Sequence, residues 1–128
     1  DGEHILTGKE IIGCCRFDDS IACGNYDVDI HNPEGSGTSH YYFPEGQYYQ
    51  IPYRSLIPHG FDNLLVAGRC ISVDHEAQAS VRIMPIVCCL GEAAGVAAAV
   101  ASGEKCAVKN ANIKEIQKIL RQNGAYID

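Results

Sequence analysis

"NLLVAGRCIS", residues 63–72, runs four apolar residues straight into a glycine and an arginine. A short apolar run that starts at Asn63 and stops at Gly68 reads as a buried strand. After it comes a polar connection of twelve residues, then a stretch of small and apolar residues from Val81 to Ala101 at helical spacing. Pro85 fits only the first turn of that helix, because elsewhere its ring would strike the preceding turn, so the helix begins near residues 81–85. In an open α/β sheet a ligand sits beyond the carboxyl end of a strand, where a glycine lets it reach the backbone. The free N–H groups and positive dipole end of the following helix then offer a seat for negative charge. A plain strand-to-helix connection has the same order of elements, so the order alone does not decide between the two.

The flanking sequence organises around this unit. Thr7-Gly8-Lys9-Glu10 has the spacing of a capping box and predicts a short helix ending around Cys15. "NYDVDIHNP", residues 25–33, alternates Tyr26, Val28 and Ile30 with Asp27, Asp29 and His31, a half-buried strand with its acidic face outward. Residues 32–46, rich in Gly, Pro and Ser, read as a long loop. A short strand up to Ile51 and one helical turn before Pro58 follow. At the end, "NIKEIQKILRQNG", residues 112–124, puts Ile113, Ile116, Ile119 and Leu120 on one face, with Asn112 to cap the start and Gly124 the end. Within the long helix Gly91, Gly95 and Ala99 recur every four residues, a face bare enough for another backbone to press close.

Composition narrows the partners. Ten Lys and Arg against sixteen Asp and Glu give a formal charge of -6 without a basic block, which argues against a nonspecific grip on nucleic acid. The apolar run Ile86–Ala101 is interrupted by Glu92 and is shorter than the roughly 20 residues of a membrane span, so a buried helix and no membrane are expected. Seven cysteines include the vicinal pairs Cys14-Cys15 and Cys88-Cys89 but no CxxC, which suits reduced thiols in a cytoplasmic protein better than a redox or zinc centre; no metal is expected. The opening "DGEHILTGKE" shows neither a signal nor a transit peptide and reads as the middle of a longer chain.

Residues 51–99, "IPYRSLIPHGFDNLLVAGRCISVDHEAQASVRIMPIVCCLGEAAGVAAA", closely resemble the C-terminal signature of FAD-dependent oxidoreductases of the glutathione-reductase-type flavoprotein superfamily. "DSIACGNYDVDIH", residues 19–31, is similar to the preceding family segment. The resemblance implies an α/β fold, α+β when isolated: the C-terminal part of an FAD-binding Rossmann-like domain plus a piece of the substrate domain. Residues 1–50 would belong to the substrate domain and connection, and residues 51–128 to the C-terminal segment of the FAD-binding domain. It also implies FAD as cofactor, with Gly68 and Arg69 at the ribityl-pyrophosphate region. Ser80, Val81, Arg82, Ile83 and Met84 would lead into the helix whose N-terminus faces the flavin pyrimidine ring. Relatives often carry an acidic residue after that glycine; here Arg69 stands there, free to reach a phosphate or a neighbouring loop. The chain holds no GxGxxG, the family's grip on the ADP half of the cofactor. The expected partners are therefore the N-terminal FAD-binding part of the same protein and a small-molecule substrate, with little flavin affinity and no turnover from these residues alone. A cofactor-free module that homodimerises through the small-residue helix is the alternative.

Among proton-transfer candidates His31 and His75 rank before His59, because one ends the acidic strand and the other lies in the connection after Gly68. Asp74-His75-Glu76 reads as solvated loop rather than a metal site. The tyrosines at 41, 42, 48, 49 and 53 suit packing more than flavin stacking.

Overall fold

The computed structural model describes all residues but 32–34 and 36, and all side chains but those and residues 30, 31, 38 and 39. Helix α1 (Gly8–Ile12) forms where the capping box sets it: Thr7 Oγ1 accepts from the Glu10 amide, and the Glu10 carboxylate accepts from the Thr7 amide. Strands β1 (Ser20–Gly24) and β4 (Tyr49–Pro52) pair antiparallel, with a bulge between Ser20 and Ala22. Strands β2 (Val28–His31) and β3 (Thr38–Tyr41) make a separate antiparallel hairpin. A 3-10 turn at Tyr53–Leu56, helix α2 (His75–Val81), helix α3 (Met84–Glu104), a second 3-10 turn at Val108–Asn110 and helix α4 (Ile113–Gln122) complete the chain. Helices and small antiparallel sheets together make a mixed α/β fold.

One apolar core, from Leu6 to Ile127, takes side chains from every helix. Helix α3 lies against β1 and α4, and α2 against β2 and α1. Helix α4 carries its predicted caps: Asn112 Oδ1 accepts from the Lys114 and Glu115 amides, and Gly124 turns the chain out at φ +90°. Its buried Gln117 donates to the carbonyls of Asp18 and Ser20 at 2.9 and 3.0 Å, tying the helix to the entry of β1.

Several expectations need correction. Residues 63–68 form no strand among the described residues; one backbone bond, from the Val66 amide to the Leu56 carbonyl at 2.8 Å, holds them, and Leu64 is exposed. An apolar segment becomes a strand only when a neighbour meets its backbone groups, and here Leu56 alone does so. The twelve-residue connection contains α2, because the Asp74 carboxylate caps it by accepting from the Ala77 amide at 2.7 Å. The same carboxylate accepts from the Gly8 amide, so Asp74 bridges the starts of α1 and α2 and is not a solvated loop residue. The loop 32–46 carries β3 in its middle; residues 32–34 and 36 of it lie outside the described residues. In β2, Val28 is buried as expected but Tyr26, just before it, is exposed; Asp29 is half-buried rather than outward.

Helix α3 starts where Pro85 requires, with Pro85 in its first turn. The same ring explains why α2 cannot run into it: continuous helix would push Pro85 against the Val81 carbonyl, so the chain breaks at Arg82 and Ile83. At 21 residues α3 is long and apolar enough to cross a membrane by length and composition, more than its apolar stretch implied. It is half-buried, not buried: Ile86, Leu90, Ala93, Ala97 and Val100 enter the core, while Gly91, Gly95 and Ala99 face outward. A Cβ placed on Gly91 or Gly95 would meet nothing within 4 Å.

Buried phenols make stability sensitive to alkali. Tyr53 donates its hydroxyl to the Val108 carbonyl at 2.7 Å, and burial, helped by Cys106, pushes its pKa from 10.0 up to about 12. A folded-state value above the unfolded one gives stability that is intact below pH 10 and declines as pH rises through about 12. The urea midpoint is expected to fall over that range, and less steeply in Tyr53→Phe; parallel pH curves for the two proteins would refute this.

Candidate functional site

Gly68 is buried at φ +91°, a backbone conformation that a side chain makes costly. An added Cβ would come 3.5 Å from Val87 Cγ1, an ordinary contact. The dihedral, rather than crowding, therefore demands glycine. The turn it makes brings Arg69 to the end of α2, where Arg69 Nε donates to the Arg82 carbonyl at 3.2 Å. Arg82 Nε in turn donates to the Ala79 carbonyl at 3.2 Å. Both guanidiniums are exposed and moored on the last carbonyls of α2, where cations also answer the negative end of the helix.

The start of α3 faces the same corner. Ile83 stands at its N-cap position and offers no side-chain oxygen, so no side chain caps this end. The first backbone bond of the helix runs from the Val87 amide to the Ile83 carbonyl at 3.0 Å. Pro85 has no N–H, leaving the amides of Met84 and Ile86 without helical partners. Met84 holds its side chain 72% exposed. The corner thus presents hydrogen-bond donors and positive charge: two amides, two guanidiniums and a dipole end.

Ser80 and Val81 contribute differently. Val81 is wholly buried in the core. Ser80 Oγ donates to the Tyr26 carbonyl at 2.6 Å and lies 2.6 Å from Tyr49 Oη. Because the one hydroxyl hydrogen of Ser80 is spent on the carbonyl, Tyr49 is the donor to Ser80. Burial raises the Tyr49 pKa strongly, against the lowering effect of that bond, so the phenol stays a donor. This chain of bonds anchors the last turn of α2 from beneath, a link that no periodic pattern in the sequence marks.

The structure therefore brings together Gly68, Arg69, Arg82, Ile83 and Met84, and turns the side chains of Ser80 and Val81 inward. His75 is exposed at the first residue of α2, about 9 Å along the helix axis from Val81. His59 is exposed and pairs with Glu3 at 3.5 Å. The imidazole of His31 lies outside the described side chains. Tyr49 and Tyr53 are core residues, Tyr41 packs edge-on to Phe43, Tyr42 stacks on exposed His40, and Tyr48 lies under the Arg16 guanidinium.

A sequence model of one family, described as FAD dependent oxidoreductase, matches residues 1–120. The chain belongs to that family. No curated protein and no solved structure matches it. As an FAD-dependent oxidoreductase it uses FAD as its cofactor, and the cofactor-free alternative finds no support in this assignment. The donor set at the α3 corner suits such a group, whose pyrophosphate is anionic and whose pyrimidine edge carries carbonyl oxygens.

Proposed function

We propose that the corner formed by Gly68, Arg69, Arg82 and the start of α3 is the flavin-proximal part of the cofactor site of an oxidoreductase of the glutathione-reductase type. The observation that carries this reading is the uncapped N-terminus of a 21-residue helix beside two moored guanidiniums. When bound, FAD supplies the acceptor for a hydride or electron pair. The chain's own part is to orient that group and to balance negative charge at its pyrimidine edge with the Met84 and Ile86 amides and the α3 dipole. Arg69 offers a charge-assisted bond to a phosphate. Gly68 keeps the backbone low where the group would lie. The proposed remainder of the site, a GxGxxG-bearing element outside these 128 residues, would cover the bare Gly91, Gly95 and Ala99 face. On this reading residues 51–128 complete the FAD-binding domain, and residues 1–50, with His31, lead toward a small-molecule substrate.

The matched pair Ile83→Asn and Ile83→Asp tests the reading. Both side chains can cap α3 and cost the same packing, but only the aspartate adds a negative charge to the corner. FAD retention by the full-length protein, measured by visible absorbance, is expected to be roughly tenfold weaker in the Asp variant than in the Asn variant, the equivalent of about 1.4 kcal/mol. Equal retention would show that the flavin lies elsewhere.

A further inference from the structure

Away from the α3 corner, and sharing none of its residues, lies a cleft of about 1000 Å³. Three chain segments build it, with Glu3 at its edge: residues 16–19 before β1, residues 53–57 in and after the first 3-10 turn, and residues 109–114 leading into α4. Its volume is at the upper end of what small-molecule sites have. Two further properties distinguish it from a dent in the surface.

The first is that its walls are tied to one another. Arg54 grips the Asp19 carboxylate through Nε and Nη2 at 2.9 and 3.2 Å, and its own amide donates to the same group at 3.1 Å. The Tyr53 hydroxyl reaches the Val108 carbonyl at 2.7 Å, fixing the floor to the third segment. Gln117 closes the circuit by donating to the Asp18 carbonyl at 2.9 Å. A cleft held this way needs little ordering when something enters it.

The second is its charge. Four of the chain's ten Lys and Arg line it, namely Arg16, Arg54, Lys109 and Lys114, against three of the sixteen Asp and Glu. On a chain of net charge -6 this is a local excess of positive charge. Asp19 neutralises Arg54, and Arg16 rests on the Tyr48 ring at 4.2 Å. Lys109 and Lys114 are exposed, and among the described residues neither pairs with a carboxylate. Half-buried Phe17 and Ile113 supply apolar surface, with the acidic wall of Asp18 and Glu3 beside it.

We propose that this cleft is a second binding site, for a small organic anion whose apolar body lies on Phe17 and Ile113 and whose acidic group is held by Lys109 and Lys114. The pairing of a hydrogen-bonded, partly apolar floor with two ammonium groups free of carboxylate partners among the described residues selects for charge and ring together. It is independent of where the flavin binds.

Benzoate and its uncharged counterpart benzamide, followed by saturation-transfer NMR on the full-length protein, test this. Benzoate is expected to bind with a Kd of about 1 mM, as befits so small a probe. Binding should weaken roughly tenfold in Lys109→Gln/Lys114→Gln, weaken with added salt, and be absent for benzamide. Both lysines are exposed, so the double variant should fold and keep its flavin content. No binding of benzoate, equal binding of the two probes, or an unchanged affinity in the double variant would each overturn the proposal.

Discussion

Tyr49→Ala is expected to lower the unfolding free energy by about 4 kcal/mol, while Tyr49→Phe lowers it by about 1 kcal/mol. Tyr49 is wholly buried, touches Phe43 at a ring distance of 5.4 Å, and donates to Ser80. Truncation leaves an aromatic-sized void beneath β1 and α2. The phenylalanine variant keeps the volume and removes only the donor; Ser80 retains its bond to the Tyr26 carbonyl, so no buried hydroxyl is stranded. Gly24 enforces the fit from the other side, since a Cβ there would stand 2.6 Å from Tyr49 Oη. Denaturant unfolding of the three proteins measures the difference. Equal losses for the two variants would mean that the hydroxyl, not the packing, holds the α2 end of the corner in place.

Gly68→Val should act on both fold and cofactor. A β-branched residue at φ +91° costs about 2 kcal/mol of backbone strain, and its γ-carbons would extend beyond the 3.5 Å approach of a bare Cβ to Val87. Relief of that strain would move Arg69 away from the Arg82 carbonyl and displace the guanidinium from the start of α3. FAD retention is therefore expected to fall at least roughly tenfold even where the variant is folded by circular dichroism. Gly68→Ala, with a cost nearer about 1 kcal/mol, should fall between. A folded valine variant with full flavin content would show that the turn does not shape the site.

What the sequence disclosed follows from the range of the forces involved. The starts of α1, α3 and α4 were legible because caps and Pro85 act within a few residues. Gly68 was legible as the end of the apolar run, but the sequence points to room for a ligand there, whereas its positive φ is what demands glycine. Strand β1 was missed because "SIACG" is buried almost throughout and shows no alternation. The apolar run 63–68 predicts a strand, yet strand character depends on a neighbour, and only Leu56 supplies a backbone bond. Helix α2 was hidden inside a polar stretch; Asp74 three residues before Ala77 was the available signal, obscured by the adjacent histidine and glutamate. At the site, the mooring of Arg69 on Arg82 and of Ser80 on Tyr49 joins residues 13 and 31 positions apart, beyond the reach of any local pattern.

Amide hydrogen exchange over residues 82–90 of the full-length protein, with and without FAD, tests the central claim most directly. If the start of α3 holds the flavin edge, the Met84 and Ile86 amides, which have no helical partners, should exchange markedly more slowly when FAD is bound, with less change in the last turn of α3. Exchange at those two amides that is the same in the flavin-free and flavin-loaded proteins would contradict the assignment of this corner to the cofactor.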